Sequence, residues 1–98
     1  MKKFSLVLLF SVFGLAMTFA QQRTITGTVT DDEGEPLIGA TVLIQGTSIG
    51  VVTDIDGKYS IQAESGQTLV FSYTGFVSQE IEVGASNVID VSMETNVE

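Results

Sequence analysis

The 98-residue sequence has no cysteine, no histidine and no tryptophan, and a single proline. Without cysteine no disulfide can staple the chain, even in an oxidising compartment, so packing alone must stabilise it. A lipid anchor on a cysteine behind the N-terminal hydrophobic segment is excluded for the same reason. Lacking both His and Cys, the chain has none of the usual zinc ligands. It also has no base of the usual kind to activate its many Ser and Thr hydroxyls. A Ser–Lys pair would draw on Lys58, whose place just after a turn reads as a surface charge. No catalytic residue and no cofactor site is therefore expected. Basic residues are scarce, four against 12 acidic ones, for a formal net charge of -8.

Two of the four bases, Lys2 and Lys3, open a segment that reads as a secretory signal peptide over residues 1–20. They form its positive start, and Phe4 to Met17 is apolar apart from Ser5, Ser11 and Gly14. Thr18-Phe19-Ala20 then offers small residues where a signal peptidase inspects them, so cleavage is expected before Gln21. The apolar stretch is shorter than the roughly 20 residues a spanning helix needs, and polar Gln21-Gln22-Arg23 follows at once. Removal leaves Arg23 and Lys58 as the only bases against all the acids and takes away four of the six Phe. So acidic a domain is a poor ligand for nucleic acid, whose binding relies on Lys and Arg. Anionic lipid surfaces would repel it, and no membrane insertion of the mature domain is expected. What remains is the length of one small domain with a modest core.

A turn signal occurs twice. Gly27-Thr28-Val29-Thr30-Asp31-Asp32-Glu33-Gly34 is matched by Gly50-Val51-Val52-Thr53-Asp54-Ile55-Asp56-Gly57. Val and Thr fit a pleated, half-buried surface. Asp folds its side chain onto nearby backbone N–H groups, and Gly supplies the positive φ of a tight reversal. Only the corner recurs, so it is reused hairpin chemistry and not a solenoid repeat.

Alternation predicts strands over 24–30 (Ile25, Gly27 and Val29 inward), 38–45 (Ile38, Ala40, Val42 and Ile44 inward), 51–53 and 58–63 (Tyr59 and Ile61). Further strands follow over 68–73 (Leu69, Phe71, Tyr73), 77–83 (Val77, Ile81, Val83) and 88–94 (Ile89, Val91, Met93). Leu43 points outward and can cover an edge, and Thr74-Gly75-Phe76 makes a kink or bulge. Seven short strands at close, regular spacing with no helical period predict an all-β, seven-stranded antiparallel sandwich or small barrel. The domain is placed at 21–94, with a polar tail at 95–98.

These residues carry a family likeness. Thr26-Gly27-Thr28-Val29-Thr30-Asp31, Gly34-Glu35-Pro36-Leu37-Ile38-Gly39-Ala40-Thr41-Val42, Gly46-Thr47 and Val52-Thr53-Asp54-Ile55-Asp56-Gly57-Lys58-Tyr59 resemble the carboxypeptidase regulatory-like domain. Leu69-Val70-Phe71-Ser72-Tyr73-Thr74-Gly75-Phe76 is similar to its last hallmark. The resemblance implies a prealbumin-like, Ig-like Greek-key β-sandwich without catalytic residues. Behind a signal peptide, it is most similar to the N-terminal extension of SusC/RagA-type TonB-dependent outer-membrane transporters of Bacteroidetes. It implies a periplasmic, outer-membrane-associated place and an accessory role in uptake of glycans or peptides. The implied partners are the plug and barrel of a transporter, the TonB system or a surface lipoprotein. Ninety-eight residues hold no plug or barrel, so the expectation is a fragment or short form of such a transporter. The alternative is a free-standing secreted or periplasmic module that binds glycan or peptide.

Two sharper readings stand beside hairpin chemistry. Asp54 and Asp56 resemble half of a calcium loop, but an EF-type loop needs a bidentate Glu at its twelfth position. Counting from Asp54 that position is Ser65, with Glu64 one place early. An Asp-Gly hairpin corner is the simpler reading. Asp31, Asp32, Glu33 and Glu35 read in the same way as a solvated turn, with a cation site as the alternative. Tyr59, Phe71, Tyr73 and Phe76 are the aromatics left after the signal, expected mainly in the core. Phe76, beside Gly75, and Tyr73 are the candidates for a partner or sugar contact. Uncharged edges along residues 24–30 and 51–53 suit strand addition by a partner.

Overall fold

A computed structural model describes residues 22–96. The segment read as a signal peptide lies outside the described residues. Chain order gives β1 (Arg23–Thr30), β2 (Thr41–Ile44), β3 (Gly50–Val52), β4 (Lys58–Ala63), β5 (Thr68–Ser72), β6 (Gln79–Glu82) and β7 (Val91–Ser92). One sheet has the order β4-β1-β7 and the other β3-β2-β5-β6. The architecture is the expected all-β sandwich.

Pairing is antiparallel at β1–β4, β2–β3, β2–β5 and β5–β6. The exception to an antiparallel sandwich is β7, which runs parallel to β1, with Val29 opposite Val91 and Thr30 opposite Ser92. After β6 the chain crosses to the other sheet, and Val88 already bridges Thr26 in the parallel sense. The strand thus joins β1 running the same way.

Alternation does its work within each strand. Ile25 and Val29 from β1, Val42 and Ile44 from β2, Tyr59 and Ile61 from β4, and Leu69 and Phe71 from β5 are all buried. Val83, Val91 and Met93 complete the inner layer. The Tyr59 and Phe71 rings meet edge to face across the sandwich, with centroids 5.5 Å apart and planes at 72°. That geometry suits the ring quadrupoles.

Three expectations need correction. Ile38 does not face inward; it is 55% exposed, and β2 begins only at Thr41. Gly39 adopts φ 80°, which breaks the two-residue parity, so Leu37 turns into the core in place of Ile38, while Ala40 is buried as expected. Val77 is likewise exposed, because it lies ahead of β6 in a loop that turns at Gly75 with φ 89°. Finally, the stretch 24–30 is no edge: β1 is the central strand of its sheet.

The far end of the chain ties the two sheets together. Val77 donates its N–H to the Glu94 carbonyl at 2.8 Å, and Asn96 donates to the Gly75 carbonyl at 2.9 Å. Gln79 Nε2 donates to the Ser92 carbonyl at 2.7 Å. Thr95 and Asn96, assigned from the sequence to a polar tail, therefore pair with the loop before β6.

Candidate functional site

The two acidic corners share one geometry. Asp31 Oδ1 accepts from the N–H groups of Glu33 at 2.8 Å and Glu35 at 2.9 Å. Asp54 Oδ1 accepts from those of Asp56 and Lys58, both at 2.9 Å. In each, the backbone closes a three-residue loop: Gly34 donates to Asp31 and Asp31 to Glu35, as Gly57 donates to Asp54 and Asp54 to Lys58. Gly34 and Gly57 sit at φ 86° and 74°, the left-handed position that this hairpin type requires. The corners also stack. Val29 donates to the Gly57 carbonyl at 2.8 Å and Leu37 donates to the Val29 carbonyl at 3.0 Å. A Cβ on Gly57 would lie 2.6 Å from the Val29 carbonyl oxygen and 2.9 Å from Pro36 Cβ. Of the two calcium candidates, Asp54 spends one carboxylate oxygen on its own corner and Asp56 is exposed. Among the described residues, no three His, Cys, Asp or Glu side chains gather in a way that could hold a metal ion.

Next to these corners lies a residue that sequence reasoning missed. Thr53 is 3% exposed. Its hydroxyl donates to the Leu37 carbonyl and accepts from the Ala40 N–H at 2.9 Å. It locks the turn that expels Ile38. Nothing in the sequence separates it from other threonines beyond its place before the second Asp.

Tyr59 forms a second polar lock, donating its phenol O–H to the Ile89 carbonyl at 2.6 Å. Burial, with the Asp90 carboxylate adding to it, pushes the phenol up to about 12. Gly27 lets this segment approach: a Cβ there would fall 1.8 Å from the Ile89 oxygen. Arg23 reaches over the loop after β6, donating to Asn87 Oδ1, Ser65 Oγ and the Gly84 and Ser86 carbonyls. These groups satisfy one another structurally, and no nucleophile sits beside a base among them.

The aromatic candidates lie at one loop end. The rings of Tyr73 and Phe76 stand 5.7 Å apart at a 48° tilt, and both are half-buried against the core. Phe76 donates its N–H to the Tyr73 carbonyl at 3.0 Å, closing the turn around Gly75. Tyr73 also borders an open, shallow depression with Gly39, Thr41, Ser72 and Thr74. The surroundings of this patch come from β2 and the Gly39 turn, which sequence spacing does not bring near residue 73.

Comparison with known proteins fits this geometry. The CarboxypepD_reg-like domain model matches residues 25–98. The chain belongs to the CarboxypepD_reg-like domain family. It is 43% identical over 90 residues to the TonB-dependent receptor SusC of Bacteroides thetaiotaomicron, covering 91% of this chain and 9% of that receptor. It is 40% identical over 96 residues to the TonB-dependent receptor P39 of Formosa agariphila, covering 97% of this chain and 9% of the relative. The chain thus spans about 9% of the length of these relatives. Among solved structures, a chain of a type II cohesin–X-dockerin complex from Acetivibrio cellulolyticus superposes with a TM-score of 0.61 at 22% identity. That match covers 74% of this chain and 57% of the other, and it speaks to the sandwich fold alone.

Proposed function

We propose that this CarboxypepD_reg-like domain is a non-catalytic accessory module of SusC-like, TonB-dependent uptake across the outer membrane, and that it works on the periplasmic side. The carrying observation is the 43% identity to the SusC receptor along nearly the whole chain. The interior agrees with such a role, since its polar groups are bonded to one another and its chemistry is that of a rigid scaffold. The Tyr73–Phe76 patch is the proposed contact with the remainder of a transporter. Aromatic side chains half-exposed at a loop end offer much apolar area at low entropic cost.

The test is a photo-crosslinking residue at position 76, in cells that export the protein alongside a SusC-like receptor. Crosslinks to the receptor's plug or barrel, recovered from the outer-membrane fraction, are expected. A freely soluble product that crosslinks to no receptor, but is retained on a glycan or peptide column, would overturn the accessory role in favour of a free-standing binding module. Sequencing the gene beyond Glu98 gives an independent check, with an in-frame plug and barrel expected.

A further inference from the structure

The sandwich closes its sheet margins unequally. Beside β6 the end of the described chain closes the margin, the Ser92 and Glu94 carbonyls accepting from Gln79 and Val77 and the Asn96 N–H donating to the Gly75 carbonyl. The margin at β4 is long but polar. Val29 pairs with Gly57 through its N–H, so the groups pointing away from β1 belong to Lys58, Ser60 and Gln62. A lysine and polar side chains of this kind discourage edge pairing. At the β7 margin the Ser92 carbonyl is taken by Gln79, so among the described strands β3 is the one that lacks such protection.

In β3 the register pairs Leu43 with Gly50 and Thr41 with Val52. The ladder bonds fall at Ile44–Ile49 and Ala40–Thr53, so the N–H and C=O groups of Gly50 and Val52 point away from β2. The row carries no charge and no proline. Ile49 is 54% exposed and Val52 64% exposed, and Gly50 adds no side chain to obstruct an approaching backbone. The strand then runs into the stacked corners. There Asp54 and Asp56 stand beside Asp31, Asp32, Glu33 and Glu35, with Lys58 the nearest base in sequence.

We infer that β3 is a strand-addition site for an extended peptide segment of a partner protein, alternating apolar residues along Ile49–Val52 and carrying Lys or Arg where it reaches the acidic corners. Main-chain bonds to Gly50 and Val52 give the affinity, and the corner carboxylates choose the sign of charge. Antiparallel pairing is the more stable arrangement per residue, and it places the cationic end at the N-terminus of the added segment. A second copy of the chain is a poor occupant, because antiparallel pairing of two β3 strands would set each acidic corner against the other copy's Ser48–Ile49 end, which carries no base. The inference holds whether or not the chain serves a transporter.

The test uses the exported protein and an acetylated, amidated decapeptide of alternating Val and Thr with two N-terminal lysines. Hydrogen exchange followed by NMR should show the Gly50 and Val52 amides exchanging freely alone and protected when the peptide is bound. Val52→Pro removes one outward donor and spares the β2 ladder. It should leave the melting curve in place and weaken peptide binding about tenfold or more. Replacing the two lysines by glutamine should weaken it several-fold at low salt. The inference fails if Val52→Pro binds as the parent does, or if protection appears at other amides. Equal affinity for the lysine and glutamine peptides overturns the cationic class. Dimerisation of the protein alone that Val52→Pro abolishes would assign the edge to self-pairing and overturn the peptide occupant.

Discussion

Single side chains set the rigidity of this sandwich. Thr53 is the sharpest case, since its hydroxyl serves the Leu37 carbonyl and the buried Ala40 N–H together. Thr53→Val keeps the volume and leaves both groups without a partner. The expected loss is about 2 kcal/mol, read as a lower denaturant midpoint at unchanged slope. Tyr59 makes a second residue-scale prediction. Its phenol is held neutral up to about 12 in the folded chain, against about 10 when unfolded. Between those values the unfolded state has released a proton that the folded state keeps, so stability falls as pH rises. The contribution is complete below pH about 10 and disappears on the way to about 12. Tyr59→Phe should cost about 1 kcal/mol at neutral pH and flatten this alkaline loss. Denaturation midpoints from pH 8 to 11 check both outcomes.

At the scale of elements, the two acidic corners are the instructive pair. Their sequences and internal hydrogen bonds match, yet their surroundings differ. Space around Gly34 is open, whereas Gly57 is pressed against Val29 and Pro36. Gly34→Ala should therefore cost only the left-handed backbone, about 1 kcal/mol. Gly57→Ala adds a steric conflict with main chain and should cost about 3 kcal/mol or more. Equal melting shifts for the two variants would show that the stacked corner yields easily. The turn repeats were legible because Asp capping and positive-φ Gly are local chemistry. Their stacking was not, since it depends on β1 and β4 pairing from opposite sides of two hairpins.

For the whole molecule, charge is the distinguishing property. Behind the first 20 residues only Arg23 and Lys58 oppose 12 carboxylates, and six of those acids crowd into the two corners. Self-repulsion of this kind opposes compaction and is screened by salt. Raising ionic strength from about 0.01 M to 0.15 M, which shortens the Debye length from about 30 to 8 Å, should raise the melting temperature by about 3 °C. A fall with salt would mean that attractive pairs dominate.

Local chemistry settled a great deal. Alternation named Ile25, Val29, Tyr59, Ile61, Leu69, Phe71, Val83, Val91 and Met93 as inward-facing, and each is buried. Period two follows from backbone geometry, so it survives any arrangement of neighbours. The missing His and Cys bear on reaction class in the same direct way, because composition does not depend on folding. Tertiary structure alone decided which strand has a neighbour. It made β1 central, left β3 open, turned Ile38 outward at Gly39, and gave Thr53 and Gly27 their partners. Those outcomes depend on contacts between residues distant in the chain, and no pattern of period two records which strand will arrive alongside.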